Sequence, residues 1–294
     1  MRQQGGKHKM EDQYNTSDKI FWHRYRDFYL ENLREVKIKE GEDILEVGVK
    51  DSESIRLWRA LYPSANITGI DLKEVKDWYR DTRIQYIIGD QSDILFMKDT
   101  LSSLKNPRVL IDDGSHHPNH QLIFLDLACQ EVVKRRIDCV VMIEDIHSSL
   151  QLIKGNNSIK GKIKRTINKF KTSLSCESQL YGQVSETANA LSLLLCAERC
   201  KYFSIPQQKI LDSILMEIDM GRRDATAIIE VISRIFTNVM IAEKIKIYQR
   251  TTLPHHCWNC NSLDIDPCSL LCKKCGQRCY SREDSMTSLI SFRF

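Results

Sequence analysis

The sequence predicts an α/β fold in which a parallel sheet carries helices on both faces. Short apolar runs typical of buried strands alternate with segments whose apolar residues recur every three to four positions. Several of the runs end in a glycine or a carboxylate, the residue types found where strand ends line a ligand crevice. Strand, helix and strand at this spacing indicate right-handed crossovers, and therefore a doubly wound, Rossmann-like sheet.

The elements follow from these patterns in chain order. Helical spacing of apolar and aromatic residues predicts helices at 17–36, 54–62 and 121–133. Apolar runs predict five strands, at 44–47, 67–71, 84–88, 109–111 and 140–143. Beyond residue 150 helix-like segments dominate, at 188–202, 207–218 and 224–247.

The change of pattern along the chain divides it into five parts. We expect a flexible polar lead, a Rossmann-like domain, a basic stretch with a mainly helical region that completes or flanks that domain, a cysteine-rich module and a tail. Their bounds are 1–15, 16–150, 151–253, 254–282 and 283–294.

Composition bounds the class of protein. The chain has 294 residues, of which 42% are apolar and 28% charged, as in globular domains and unlike disordered or fibrous chains. It has no apolar run of the roughly 18–20 residues that a membrane span needs and no signal-peptide core, so we expect a cytoplasmic protein. Packing of the helical region within one chain is favoured over a homo-oligomer interface, which stays an alternative.

Two acidic clusters follow the fourth and fifth predicted strands. They are Asp112-Asp113-Gly114-Ser115-His116 and Glu144-Asp145-Ile146-His147. Because neighbouring parallel strands end at one edge of the sheet, these carboxylates and a histidine should converge. Ionised carboxylates gathered in one place repel one another unless a cation holds them. The clusters therefore predict a metal-assisted active site.

The first three strand ends indicate a cofactor. Glu46 and Gly48 end the first strand, Asp71 ends the second, and Gly89-Asp90 follow the third. An acidic side chain after the second strand suits ribose hydroxyls, and a glycine permits close backbone approach. The Gly-x-Gly-x-x-Gly fingerprint of dinucleotide binding is missing after Gly48, which favours S-adenosylmethionine.

With these motifs in register over about residues 16–150, the chain resembles the metal-dependent class I sugar O-methyltransferases of macrolide biosynthesis, of the mycinamicin VI 2″-O-methyltransferase type. The segments that carry the resemblance are Ser17-Asp18-Lys19 with His23-Arg24-Tyr25, Ile44-Leu45-Glu46-Val47-Gly48-Val49, Ser54-Ile55-Arg56-Leu57-Trp58, Tyr62–Asp71, Gly89-Asp90-Gln91-Ser92-Asp93, Ile111–His116 and Ile143–Ser149.

The resemblance implies roles for particular residues. It implies S-adenosylmethionine bound over Glu46, Gly48, Asp71 and the turn Gly89-Asp90-Gln91, with His116 as general base. It also implies a magnesium ion held by Asp113, Glu144 and Asp145. One departure concerns the cofactor: the family usually has glycine where this chain has Glu53, and often small residues in place of Lys50-Asp51.

Simple structural roles compete with these assignments. Taken alone, His116 is a surface or structural histidine, and Asp112 caps the turn that follows it. His117 and His120 are expected to be bystanders. The catalytic interpretation is favoured for Asp113, His116 and Glu144-Asp145 because all stand together at two strand ends.

The cysteine-rich module predicts a zinc ribbon. Cys257 and Cys260 form one Cys-x-x-Cys pair, and Cys272 and Cys275 form another eleven residues later. This spacing allows four thiolates to surround one structural zinc ion. Disulfides are disfavoured by the expected reducing compartment.

The predicted function is methyl transfer from S-adenosylmethionine to a hydroxyl of a vicinal diol, most simply on a sugar or glycan. Chelation of two hydroxyls by the metal would acidify them and fix them in place. An RNA methyltransferase acting on a cap or ribose is the first alternative, supported by the ribbon and by seven basic residues between Lys154 and Lys171. A scaffold that has lost catalysis is the second, supported by Lys50 and Glu53.

Overall fold

The computed structural model describes residues 17, 19, 25–74, 78–146, 176–187, 204–216, 225–251, 260, 262, 264, 266, 271–276 and 286–294. The described helices are α1 (Arg26–Val36), α2 (Glu53–Leu61), α3 (Ile94–Ser103), α4 (Pro118–Arg135), α5 (Cys176–Thr187), α6 (Gln207–Met216) and α7 (Ala225–Ile241). The strands are β1 (Asp43–Val47), β2 (Asn66–Asp71), β3 (Ile84–Ile88), β4 (Pro107–Asp112), β5 (Val140–Glu144), β6 (Lys244–Thr251) and β7 (Met286–Arg293).

All seven strands belong to one sheet, in the order β3-β2-β1-β4-β5-β7-β6. The first five strands are parallel, whereas β7 runs antiparallel to both β5 and β6. This arrangement confirms the predicted α/β class, a Rossmann-like sheet with helices on both faces. The carboxyl ends of β1, β4 and β5 are neighbours, so the loops that follow them share one edge.

The two faces of the sheet bury different layers of helix. Leu45 and Val47 of β1 pack in the cluster that contains α3, α4 and α7, whereas Ile44 packs on the side of α1 and α2. Because side chains alternate along a strand, Glu46 lies on the α1–α2 side with Ile44. The same alternation in β5 places Glu144 on that side, with Val140 and Met142. Two carboxylates therefore enter the sheet–helix interface from one face.

Helix boundaries follow local capping chemistry. The Asp93 side chain accepts hydrogen bonds from the backbone N–H groups of Leu95 and Phe96 at the start of α3. Proline occupies the first turn of α4, and a left-handed Arg136 ends that helix. Within the described part of the chain, every helix is too short or too polar to cross a bilayer.

A buried ionic contact attaches the later helices to α4. Asp126 of α4 is fully buried and accepts a hydrogen bond of 2.6 Å from the Tyr181 hydroxyl of α5. Arg234 of α7 donates to the same carboxylate at 2.6–3.2 Å. The described helices α5 and α7 are thus joined to α4 through one carboxylate.

The last two strands correct the sequence-based boundaries. The predicted helix 224–247 ends at Ile241, and β6 begins at Lys244. In this segment Lys244 and Lys246 alternate with Ile245 and Ile247, a pattern typical of a strand. The predicted helix was too long because these isoleucines were counted with the apolar residues of the preceding helix.

Residues 286–293, expected in a tail, instead form the strand between β5 and β6. Their strand partners lie far away in the chain, so the local sequence pattern does not predict this strand. The predicted lead at 1–15, the helix 188–202 and the basic residues from Lys154 to Lys171 lie outside the described residues.

Candidate active site

The loops after β4 and β5 bring three of the predicted site residues together. His116 Nε2 lies 3.5 Å from Asp145 Oδ2 and 3.9 Å from Asp113 Oδ1. Ligand atoms of these three residues lie within 4.8 Å of one another, a separation that a single metal ion can bridge. The prediction that the two acidic clusters converge is therefore confirmed.

Two of these residues have strained backbones. His116 has φ of 54° and Asp145 has φ of 51°, both in the left-handed region that side chains with a Cβ disfavour. Such conformations persist only where the surrounding structure enforces them, and they cluster at functional sites. Here they turn the two side chains toward each other across the ends of β4 and β5.

Lys19, for which the sequence motifs predict no role, lies among the carboxylates. The Lys19 ammonium is 2.7 Å from Glu144 Oε1 and 3.1 Å from Glu46 Oε1, and it contacts Asp113 Oδ2 as well. Its side chain is 1% exposed. Glu46, Asp113 and Glu144 form a second group whose oxygens could surround a cation, and the ammonium lies within it. We call this group the Lys19 cage.

Tyr25, the N-cap of α1, and Tyr29 within α1 supply further donors to the same carboxylates. The Tyr25 hydroxyl donates to Asp145 Oδ1 over 2.9 Å, and the Tyr29 hydroxyl donates to Glu144 Oε1. Tyr25 and Tyr29 are four residues apart and so lie on one face of the helix. In the sequence both count as apolar members of that face, and their hydroxyl groups are the only signal of a polar role.

Burial makes the carboxylic acids weak. Loss of hydration raises the pKa of Asp113 to about 7, although Lys19 and His116 act in the opposite direction. Burial and the nearby Asp113 charge raise the pKa of Glu144. Burial by itself would lower the pKa of Lys19, but attraction by Asp113, Glu144 and Glu46 raises it well above its usual value. The carboxylates Glu46, Asp113 and Glu144 are thus not fully compensated by the positive charge of Lys19.

Asp112 and Gln91 organise the loop that carries the acidic residues. Asp112 Oδ1 accepts from the Gly114 backbone N–H at 3.1 Å and from the Gln91 side-chain amide at 2.6 Å. Gln91 Oε1 in turn accepts from the Ser115 N–H at 3.0 Å. Asp112 therefore has the turn-capping role weighed from the sequence, and burial raises its pKa to about 6. Gln91, predicted as a cofactor ligand, ties the β3 and β4 loops together.

The other residues predicted to bind the cofactor lie at the same edge. Asp71 ends β2, and its carboxylate accepts from the backbone N–H groups of Lys50 at 2.8 Å and Leu72 at 2.7 Å. Gly48 has φ of +85°, and a Cβ added there would overlap the Asp113 carbonyl. A Cβ on Gly89 would overlap the Phe96 ring, and Asp90 Oδ1 accepts from the Ser92 N–H at 2.8 Å.

The loop after β1 accommodates its departures from the family pattern. Lys50 and Ser52 adopt left-handed conformations with φ of 46° and 67°, where glycine would be unstrained. Glu53 begins α2, and its carboxylate is 3.8 Å from the Arg56 guanidinium. The Trp78 indole N–H donates to the Lys50 carbonyl over 2.8 Å, which holds this loop in place.

The two described histidines after His116 have local partners. His117 pairs with Asn119, and His120 Nδ1 is 2.7 Å from Ser115 Oγ. Burial, together with the neighbouring His117, lowers the pKa of His120 to about 4, so its ring is neutral at physiological pH. His147 lies outside the described residues.

Three of the four predicted zinc ligands converge. Ligand atoms of Cys260, Cys272 and Cys275 lie within 4.8 Å of one another, with Cys260 Sγ 3.5 Å from Cys272 Sγ. Cys257 lies outside the described residues. The module falls between β6 and β7 in the chain, and so between two paired strands of the sheet.

Two curated relatives match part of this chain. Mycinamicin VI 2″-O-methyltransferase of Micromonospora griseorubida is 31% identical over 120 residues, which is 38% of this chain and 29% of that protein. A tetracenomycin-pathway protein of Streptomyces olivaceus, 8-demethyl-8-alpha-L-rhamnosyl tetracenomycin-C 2′-O-methyltransferase, is 26% identical over 111 residues, 35% of this chain and 29% of that protein. The chain thus spans less than a third of the length of these relatives.

Among solved structures, the MycE methyltransferase of the mycinamycin biosynthetic pathway, in complex with Mg, SAH and mycinamycin VI, aligns with a TM-score of 0.43. It is 21% identical and covers 56% of this chain and 48% of that one. No protein-family model matches the chain. The resemblance predicted from the motifs is confirmed at the level of these relatives: over about two fifths of its length, this chain is similar to sugar O-methyltransferases.

Proposed function

We propose that this protein is an S-adenosylmethionine- and magnesium-dependent O-methyltransferase that methylates a hydroxyl of a vicinal diol on a sugar or glycan. The observation that carries the proposal is the convergence of Asp113, His116 and Asp145 at the carboxyl edge of the sheet. The similarity to sugar O-methyltransferases, over 38% and 35% of the chain, also supports it. Because those relatives are much longer, the acceptor they act on is carried over here only as a proposal.

The donor set fits a divalent ion. Carboxylate oxygens are the ligands that magnesium prefers, and Asp113, Glu144 and Asp145 supply them from two adjacent strand ends. Burial has raised the pKa of Asp113 and Glu144, so additional positive charge would stabilise their ionised forms. When bound, the ion would acidify and orient two neighbouring hydroxyls of the acceptor.

The cofactor would lie along the ends of β1, β2 and β3. Asp71 would accept hydrogen bonds from the ribose hydroxyls, since each carboxylate oxygen that accepts a backbone N–H keeps a second lone pair. Gly48 and the turn Gly89-Asp90-Gln91 border the same edge. Glu53, which departs from the family pattern, lies at the start of α2 with its carboxylate 3.8 Å from the Arg56 guanidinium. Bound S-adenosylmethionine supplies an electrophilic methyl group.

His116 would take the proton of the acceptor hydroxyl at Nε2. That atom faces Asp113 and Asp145, and their negative charge favours the imidazolium formed on proton transfer. The backbone of His116 is left-handed, with φ of 54°. In this proposal the carboxylates bind the metal ion and His116 takes the proton.

For the cysteine-rich module we propose a structural zinc ion held by Cys260, Cys272 and Cys275 together with Cys257. The convergence of three thiols supports it. No described residue favours the RNA alternative, whose basic stretch lies outside the described ranges.

The test is methyl transfer from labelled S-adenosylmethionine to pools of glycans, glycolipids and RNA. We expect label in a sugar-containing acceptor, with activity lost in Asp113→Asn and His116→Gln. His117→Gln is the matched control, because His117 pairs with Asn119 instead of the acidic set. Calorimetry with S-adenosylmethionine, with and without Mg²⁺, separates an enzyme from a scaffold: a protein that binds no cofactor under either condition is not this enzyme.

A further inference from the structure

The Lys19 cage holds a charged side chain that is almost completely removed from water. The ammonium reaches Glu46, Asp113 and Glu144, which come from β1, the loop after β4 and the end of β5. A buried lysine is costly unless partners compensate its lost hydration. Three carboxylates around one ammonium provide that compensation and leave an excess of negative charge. Lys19 is therefore a cation resident in the acidic site.

The cage overlaps the proposed magnesium site. Asp113 and Glu144 belong to both, so Lys19 contacts two of the three carboxylates assigned to the metal. Magnesium binds oxygen at about 2.0–2.1 Å. A divalent ion and an ammonium that share two carboxylates would lie about 4 Å apart and repel each other strongly in a buried site.

We propose that Lys19 sets the affinity of the acidic site for divalent ions by competing with them for Asp113 and Glu144. The ion binds when the ammonium leaves the cage, and the ammonium returns when the ion dissociates. Lys19 is a positioning residue in this scheme, since it acts through the carboxylates. The inference rests on the proposed function for the presence of a divalent ion.

Neighbouring hydrogen-bond donors other than Lys19 hold carboxylates of the acidic site. Tyr29 holds Glu144, Tyr25 holds Asp145, and Trp58 holds Glu46 with a hydrogen bond of 2.7 Å from its indole N–H. These donors are independent of Lys19. Glu144, Asp145 and Glu46 therefore keep a donor when the ammonium withdraws, and Asp113 keeps its contact with His116 at 3.9 Å.

The first experiment measures Mn²⁺ binding to the cofactor-free full chain by electron paramagnetic resonance and calorimetry. We expect Lys19→Met to bind Mn²⁺ at least about tenfold more tightly than wild type, because a competing charge has been removed. Lys246→Met is the matched control: Lys246 bridges Glu31 at 2.7 Å and Glu35 at 3.7 Å, away from the acidic site, and its loss should leave the affinity unchanged.

Equal affinity in wild type and Lys19→Met would overturn the competition, while methyl transfer and S-adenosylmethionine binding, measured separately, would still support the proposed function. Absence of Mn²⁺ binding in every variant would overturn both the competition and the magnesium part of that function. The two failures are thus distinguishable.

A second experiment needs no variant. Reductive dimethylation of wild-type lysines, followed by peptide mass spectrometry, reports whether the Lys19 amine is accessible. We expect slow labelling without metal and labelling at least several-fold faster at saturating Mn²⁺, with Lys246 unchanged. Equally slow labelling of Lys19 at saturating Mn²⁺ would show that both cations remain bound together, which contradicts displacement.

Discussion

The indole N–H of Trp58 donates a hydrogen bond of 2.7 Å to the carboxylate of Glu46, and both side chains are fully buried. Trp58 belongs to α2, so this contact joins the helix that follows β1 back to the strand itself. It also fixes Glu46 so that its other oxygen faces Lys19. Glu46, predicted to bind the cofactor, thus contacts both Trp58 and Lys19.

We therefore expect Trp58→Phe to destabilise the protein by about 1–3 kcal/mol, because a buried charged acceptor loses a donor. Urea unfolding monitored by circular dichroism measures the change. Trp78→Phe is the matched control: Trp78 is also buried, but its indole N–H donates to the neutral carbonyl of Lys50. A larger loss in Trp78→Phe than in Trp58→Phe would contradict a special role for the Glu46 contact.

The second prediction concerns the close approach of the β4 loop to β1. Gly48→Ala forces a Cβ into the Asp113 carbonyl and strains a positive φ, so we expect loss of methyl transfer and a destabilisation of more than about 2 kcal/mol. Gly41→Ala isolates the backbone term, because Gly41 has φ of +75° with no atom within 4 Å of the added Cβ. Gly41→Ala should cost only about 1 kcal/mol and keep activity. Equal effects would exclude the steric contact.

The third prediction is a pH dependence that originates from His120. Its pKa is lowered from 6.5 to about 4 in the folded protein, so between these pH values the unfolded chain binds more protons than the native one. The contribution of His120 to the free energy of unfolding is present above about pH 6.5 and is lost as pH falls toward 4.

Unfolding by urea at a series of pH values, in wild type and His120→Gln, measures this contribution by difference. Other groups titrate in the same range but are common to both proteins. We expect the stability difference between them to change steadily across this range. A difference that stays constant with pH would show that His120 titrates normally in the fold.

The fourth prediction concerns the Asp126 contact that joins α4, α5 and α7. Arg234→Met leaves Asp126 with Tyr181 as its remaining side-chain donor among the described contacts, and we expect a loss of about 2 kcal/mol, reduced from the value for a fully buried pair because Arg234 is 41% exposed. Asp126→Asn with Arg234→Met should recover part of the loss. Lys134→Met, at an exposed ion pair of 3.6 Å, should change stability by less than about 0.5 kcal/mol. Additive effects in the double variant would disprove the pairing.

The fifth prediction tests the zinc proposal. We expect about one zinc ion per chain by elemental analysis, and loss of that ion in Cys272→Ser. Cys129→Ala should retain zinc, because Cys129 belongs to α4 and is buried in the hydrophobic core, outside the cysteine-rich module. Since the module connects β6 to β7, chelation should also speed amide exchange in those strands. Absence of bound zinc from the wild-type protein would contradict the proposed zinc site.

The parallel part of the fold was predictable from local pattern. Each of β1 to β5 is a short apolar run, and burial of such a run in a sheet needs no information from distant residues. The acidic residues at Asp113, Glu144 and Asp145 were predictable for the same reason, because parallel strands end at a common edge. The β6–β7 pair was not, since the partner of β7 in the first half of the chain, β5, lies more than a hundred residues away.

What the sequence by itself determined is which residues carry charge and where strands end. Only the tertiary structure decided how that charge is balanced. Lys19 is 94 residues from Asp113 and 125 from Glu144, and the hydroxyls of Tyr25 and Tyr29 reach carboxylates more than a hundred residues away. Electrostatic interaction in a buried site depends on distance in space and on exclusion of water. Local periodicity encodes neither quantity, so the position of Lys19 among the carboxylates could be identified only from the tertiary structure.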